Sequence, residues 1–196
     1  KLKIYPKFES IYNFNNFNAR KIKLHNIKAE IDAKDLKVFW KNTLDLEEKI
    51  YFSNLNIKIN DNENFLVELK KIDFFNFGYK KNLINGEIFG KKFSIKIEDS
   101  LKKINFKLTK AGVSAELNFF VNDQNLKSIG NLKAKILKSN LLLDFTNDQN
   151  SIIIQNSIFR NKNLSLNSSG KIRFRPFFFA DLNSEIRSLN TDLIKE

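Results

Sequence analysis

The chain contains no cysteine and no methionine, and only one histidine, one tryptophan, 2 prolines and 6 glycines among 196 residues. Without cysteine there is no disulfide framework and no thiolate zinc site. The compartment clue that cysteines carry is also lost, and cytosol and periplasm fit equally well. The absence of even an initiator methionine makes the chain, which starts at Lys1, read as a segment of a longer protein. No signal peptide and no apolar run of about 18 residues or more occurs in it, which describes this segment alone.

Material for catalysis is equally scarce. His25 is the single histidine, no serine stands in a nucleophile-elbow context, and no glycine-rich phosphate loop is present, so the sequence predicts no enzyme and no cofactor. Asp61 with Glu63, and Asp144 with Asp148, lack the ligand spacing and the glycine of a calcium loop. They read as turn residues, and no metal site is expected.

What is abundant is lysine, asparagine, isoleucine and phenylalanine, a bias that an AT-rich genome also writes. Lys plus Arg number 34 against 22 Asp plus Glu, a net charge of +12. These cations are spread along the chain without a basic block, and no glycine-rich aromatic RNA-binding motif appears, so nucleic acid is not an expected partner. The charge is compatible with weak attraction to anionic membrane head groups and with a plain solvated face.

The organising signal is alternation. Ile104, Phe106 and Leu108 alternate with Lys103, Asn105 and Lys107; a turn follows at Thr109 to Gly112; then Val113, Ala115, Leu117, Phe119 and Val121 alternate with Ser114, Glu116 and Asn118. That pattern predicts a β-hairpin with one apolar and one polar face. Similar runs recur along the chain, including Ile22 and Leu24, Ile27 to Ile31, Leu36, Val38 and Trp40, Leu55 to Ile59, and Phe65 to Leu69. Phe93, Ile95 and Ile97 continue the series, followed by Leu132 to Ile136, Leu141, Leu143 and Phe145, and Ile172 with Phe174. The phase slips at His25 and Asn26, which predicts a bulge or turn there, and a kink is expected near Lys71. Lys41 to Glu48 reads as a loop. Residues 1–20, rich in asparagine, read as a loop or short strand docked by Tyr5, Phe8, Ile11, Tyr12, Phe14 and Phe17. Asn190 or Thr191 is a candidate helix N-cap.

The turn Asn122-Asp-Gln-Asn recurs as Asn147-Asp-Gln-Asn, a weak repeat. Turn signals recur at roughly 8 to 12 residues, as in all-β proteins. The expected fold is therefore an all-β antiparallel meander of about a dozen strands, forming a curved, twisted sheet or groove with little helix. Residues 1–196 read as one β-rich segment with no internal domain boundary. For the apolar face the residues leave two readings open. One is a self-packed core, as in a β-sandwich binding or adhesion module. The other is an open concave surface that holds lipid. A transmembrane β-barrel shares the alternation, but many lysines, few Tyr and Gly, and no aromatic girdles count against it.

The stretch Gly170-Lys-Ile-Arg-Phe-Arg-Pro176-Phe-Phe-Phe-Ala-Asp-Leu182-Asn-Ser-Glu-Ile186-Arg-Ser-Leu189 resembles a recurring pattern of AsmA-like proteins. There a glycine opens a strand, a basic or polar stretch leads to a proline, and a further strand ends in a polar residue followed by leucine. The preceding meander also resembles the β-rich body of that family and of its TamB-type relatives, although their turns are usually richer in glycine and aspartate. The resemblance implies a non-enzymatic protein of the Gram-negative envelope. Its parent would be anchored in the inner membrane by an N-terminal helix outside this segment, and would extend through the periplasm as a β-groove that conducts phospholipid toward the outer membrane. The implied partners are phospholipid or other acyl chains. The candidate lipid contacts are Phe93, Ile95, Ile104, Phe106, Leu108, Leu117, Phe119, Leu143, Phe145, Ile172 and Phe174.

Overall fold

The computed structural model describes residues 1–12, 15, 17–98, 101–122, 128–148, 150–173 and 177–190. The protein is all-β, a chiefly antiparallel meander with little helix. Where the sequence shows no boundary, the packing separates two compact units, Lys1–Ser100 and Leu101–Glu196.

The first unit holds strands β1 (Leu2–Pro6), β2 (Ala19–His25), β3 (Lys28–Asp32), β4 (Lys49–Asp61), β5 (Asn64–Phe75), β6 (Leu83–Ile88) and β7 (Lys91–Glu98), with helix α1 (Leu36–Asp45) between β3 and β4. The strands follow the order β1-β2-β4-β5-β6-β7, and β3 also pairs with β4. Two pairings depart from the expected antiparallel meander: β2 and β3 both run parallel to β4. A parallel return requires a crossover, and α1 supplies it.

That helix corrects the reading of Leu36, Val38 and Trp40 as a strand and of Lys41 to Glu48 as a loop. Three alternating residues also fit the spacing of a helical turn. The longer set Leu36, Phe39, Trp40, Thr43 and Leu44 falls on one helical face, and Val38 is left 55% exposed. The helix lays Phe39 against Phe52, centroids 6.5 Å apart, and the edge of Trp40 against Phe74 at 5.4 Å. Beneath it lies the core: Ile50, Phe52, Leu55, Ile57 and Ile59 of β4, Ile72 and Phe74 of β5, Ile84 of β6, and Phe93 and Ile97 of β7.

Asn76 secures the chain between helix and sheet. Its side-chain oxygen accepts from Ile50 N–H at 2.7 Å, and its amide donates to the carbonyls of Glu48 at 2.8 Å and Leu46 at 3.2 Å. Asn76 is itself buried. Asn76→Ala is expected to destabilise the protein by about 2–4 kcal/mol, because it strands buried backbone groups as well as removing their bonds. A urea unfolding curve with unchanged slope and a lowered midpoint is the expected measurement.

The phase slip at Asn26 is real, and it is shared across strands. Asn26 and Asn54 both adopt φ 53, and Lys71 adopts φ 51. The Asn54 amide donates to the Asn26 side-chain oxygen at 2.7 Å, and Lys71 N–H donates to the Asn56 side chain at 2.9 Å. Asparagine tolerates the left-handed region better than most residues, which explains its use at such bulges. At the N-terminal end β1 is the short strand of the expectation, but Phe8 and Tyr12 do not dock. Phe8 is 75% and Tyr12 79% exposed, and the segment is held by the β1–β2 ladder and by Asn18 N–H donating to Ser10 Oγ at 2.8 Å. Phe14 lies outside the described residues, as does Thr191 of the expected C-terminal helix.

The second unit holds β8 (Lys103–Leu108), β9 (Val113–Asn122), β10 (Ser128–Ile136), β11 (Ser139–Asn147), β12 (Ser151–Arg160), β13 (Leu164–Arg173) and β14 (Phe179–Leu189). Each pairs antiparallel with the next. Its turns use side chains as substitutes for backbone. Asp148 accepts from Asn150 N–H at 2.9 Å, Ser151 N–H at 2.6 Å and Ser151 Oγ–H at 2.9 Å. The Asn150 N–H, and after it the Ser151 hydroxyl, hold the Asp148 carboxyl below its usual range. Asn161 repeats the device, accepting from Asn163 and Leu164 N–H at 2.8 and 2.7 Å.

Candidate functional site

The register of the second unit turns the alternation of single strands into rows that cross the whole sheet. One row is Ile104, Leu117, Leu132 and Leu143, strand by strand. A second is Phe106, Ala115, Ala134, Leu141, Phe159, Leu166 and Ile186. A third is Phe119, Gly130, Phe145, Ile154, Gly170 and Leu182. Leu108 joins Val113 at one end of the face, and Ile172 joins Ile152 and Ala180 at the other. All these rows share one face because side chains alternate along each strand and the bulges at β11–β12 and β12–β13 keep the phase.

The opposite face is chiefly Lys, Asn, Ser and Glu. There Lys103 and Glu116 form a cross-strand ion pair at 3.3 Å, and Asn118 donates to Glu116 at 3.1 Å and to Asn131 at 2.9 Å. The Asn118 amide, followed by Lys103, lowers the Glu116 pKa from its usual value. These are solvated contacts that orient a polar surface and contribute little to stability.

The rows separate the predicted residues into two kinds. Ile104, Phe106, Leu108, Leu117, Phe119, Leu143 and Ile172 are half-buried on the apolar face of the second unit. Phe145 is on the same face but only 6% exposed. Its ring lies over Gly130, where an added Cβ would come within 2.9 Å of it, and it meets Phe119 edge-on at 6.1 Å. Phe93 belongs to the first unit, where it is 3% exposed and covers Gly86 in the same way. Ile95, half-buried, pairs with Ile84 beside it. Phe174 lies outside the described residues. Phe93 and Phe145 are thus rings laid over cross-strand glycines. They brace the sheet and offer little surface to a ligand.

Leu132, Leu141, Phe159, Leu166 and Ile186 complete the rows and were not among the candidates. Their signal was the same alternation, but only register shows that they continue the rows of Leu117 and Phe106. The row through Leu143 passes into Ser157, Ser168 and Ser184, so the apolar surface there carries a hydroxyl seam, with Ser168 and Ser184 Oγ 2.8 Å apart.

Among the described residues of the second unit nothing covers this face. There is no α-helix among them, and the strands form one sheet whose extensive contacts run between ladder neighbours. In the first unit, by contrast, α1 lies over Phe52 and Phe74. A depression of about 470 Å³ is lined by Phe106, Ala115, Ala134 and Leu141 together with the flanking pairs of the same four strands. It reflects two alanines set between larger side chains. No group of three or more metal-ligating side chains occurs among the described residues.

Gly170, on β13, has φ 149. An added Cβ would run into the Asp181 carbonyl oxygen and come within 2.9 Å of Leu182 Cα. Only glycine lets β13 and β14 approach so closely. Gly170→Ala is expected to cost about 1–3 kcal/mol. It should also raise amide exchange along β14 before any other strand.

No family model, curated protein or solved structure matches the chain.

Proposed function

We propose that this chain is a non-enzymatic component of the bacterial envelope whose apolar sheet face shields lipid acyl chains, serving phospholipid transport or outer-membrane maintenance. The observation that carries the reading is the pair of registered apolar rows through Ile104 and Phe106 in the second unit, half-exposed and without a covering layer among the described residues of that unit. A contiguous apolar surface of this kind on a protein in water calls for an occupant. An acyl chain fits it: each methylene removed from water contributes about 0.8 kcal/mol, and the lysine-rich opposite face keeps the sheet solvated. The likeness of Gly170 to Leu189 to AsmA-like proteins supports a periplasmic setting, with a parent protein anchored in the inner membrane through regions outside this segment.

Site-specific photo-crosslinking tests the reading. Benzoyl-phenylalanine in place of Leu132, on the apolar face, is expected to yield lipid adducts by mass in envelope-expressed protein. In place of Lys133, one residue away on the polar face, it is expected to yield none. Equal labelling at the two positions, or no adduct at either, would count against the proposal.

A further inference from the structure

A second feature, on the first unit and on the sheet face opposite its core, goes beyond the lipid reading and does not depend on it. There Lys3 pairs with Lys23 and Tyr5 with Lys21 across β1 and β2, while Lys21, Lys23 and His25 pair with Lys49, Tyr51 and Ser53 of β4. Lys34, Lys58, Lys70, Lys71, Lys96 and Lys103 each have a carboxylate partner. Lys3, Lys21, Lys23 and Lys49 form no salt bridge among the described residues. Three of them have rings as neighbours: Lys21 and Lys49 stand 4.8 and 5.9 Å from the Phe77 centroid, and Lys23 stands 5.5 Å from that of Tyr5. Beside Lys3 and Lys23 is a concavity of about 340 Å³ lined by these two with Lys1, Leu24, His25, Tyr51 and Ser53, with no carboxylate in its wall.

Like charges set side by side repel one another, and neighbouring strands ordinarily relieve this with a carboxylate. We propose that the Lys3–Lys23–His25–Tyr51 concavity binds a phosphate group, either of an anionic lipid head group or of a free phosphate compound. The lining residues carry ammonium, imidazole and phenol groups, donor types that suit the several acceptor oxygens of a phosphate. Nucleic acid suits it less. The ring faces that would stack bases are already occupied, Phe77 and Tyr5 by lysines and Tyr51 by Phe75 at 4.3 Å.

The test is a titration of the whole chain with pyrophosphate, followed by amide chemical shifts, alongside flotation with phosphatidylcholine vesicles with and without phosphatidylglycerol. The expected shifts cluster at Lys3, Lys23, His25 and Tyr51, and the double variant K3E/K23E weakens binding about thirtyfold. Flotation only with phosphatidylglycerol, competed by pyrophosphate, identifies the head group as the source. Pyrophosphate binding without flotation identifies a free phosphate compound. Shifts scattered over other lysines, or affinity unchanged in a folded K3E/K23E, overturns the proposal. So does a single-stranded oligonucleotide binding more tightly than pyrophosphate. Because the shift map uses the unsubstituted chain, it decides the matter even if the double variant does not fold.

Discussion

Replacing Phe74 with alanine is expected to lower the unfolding free energy by about 3–5 kcal/mol. The ring is fully buried, and it is the meeting point of sheet and helix: Trp40 of α1 meets it edge-on at 5.4 Å and Phe52 lies 5.7 Å away. Removing it creates a cavity that a β-ladder cannot collapse to fill, and it also takes away the surface on which the helix rests. A domain typically holds only about 5–15 kcal/mol in reserve, so the loss should show as a large fall in the denaturation midpoint. Tryptophan fluorescence reports it directly, since the single tryptophan, Trp40, packs on that ring. A fall of under about 1 kcal/mol, typical of an exposed site, would mean that α1 does not seat on the sheet.

The second large effect separates an open apolar face from a closed core. Leu132 and Leu143 are cross-strand partners in one apolar row of the second unit. If another layer of protein sealed that row, two lysines there would have to be buried without partners. The cost would exceed what a domain can bear. With the face open, the lysine stems lie along the sheet and their ammonium groups reach water. L132K/L143K is therefore expected to fold, with a circular dichroism spectrum and cooperative unfolding close to those of the parent, and to lose most bound lipid. Collapse of the fold would favour the self-packed reading, and undiminished lipid would remove this row from the site.

Much of the strand pattern was legible because period-two alternation depends only on neighbouring residues. The hairpin of Ile104 to Phe119, the slip at Asn26 and the kink at Lys71 all fall where alternation breaks or resumes. Helix α1 was hidden because Leu36, Val38 and Trp40 satisfy a strand template over three residues, while the helical set through Thr43 and Leu44 includes a polar member. Asn76 could not be foreseen: its three bonds reach back across 26 to 30 residues, and nothing local distinguishes it from the many other asparagines. The candidate site was legible in the same partial way. Alternation identifies which residues share a face, but cross-strand register decides that Phe93 and Phe145 sit over glycines and that Leu132 continues the row of Leu117. Whether a face is covered depends on contacts distant in sequence, which is why α1 over the first unit and the uncovered rows of the second had no signature in alternation.

The most direct test of the central claim is native mass spectrometry of the chain purified from a bacterial envelope without detergent, with organic extraction of the same sample. The account predicts species heavier than the polypeptide by the mass of phospholipid, and recovery of that phospholipid on extraction. A uniformly lipid-free chain, monomeric and fully folded, would contradict it.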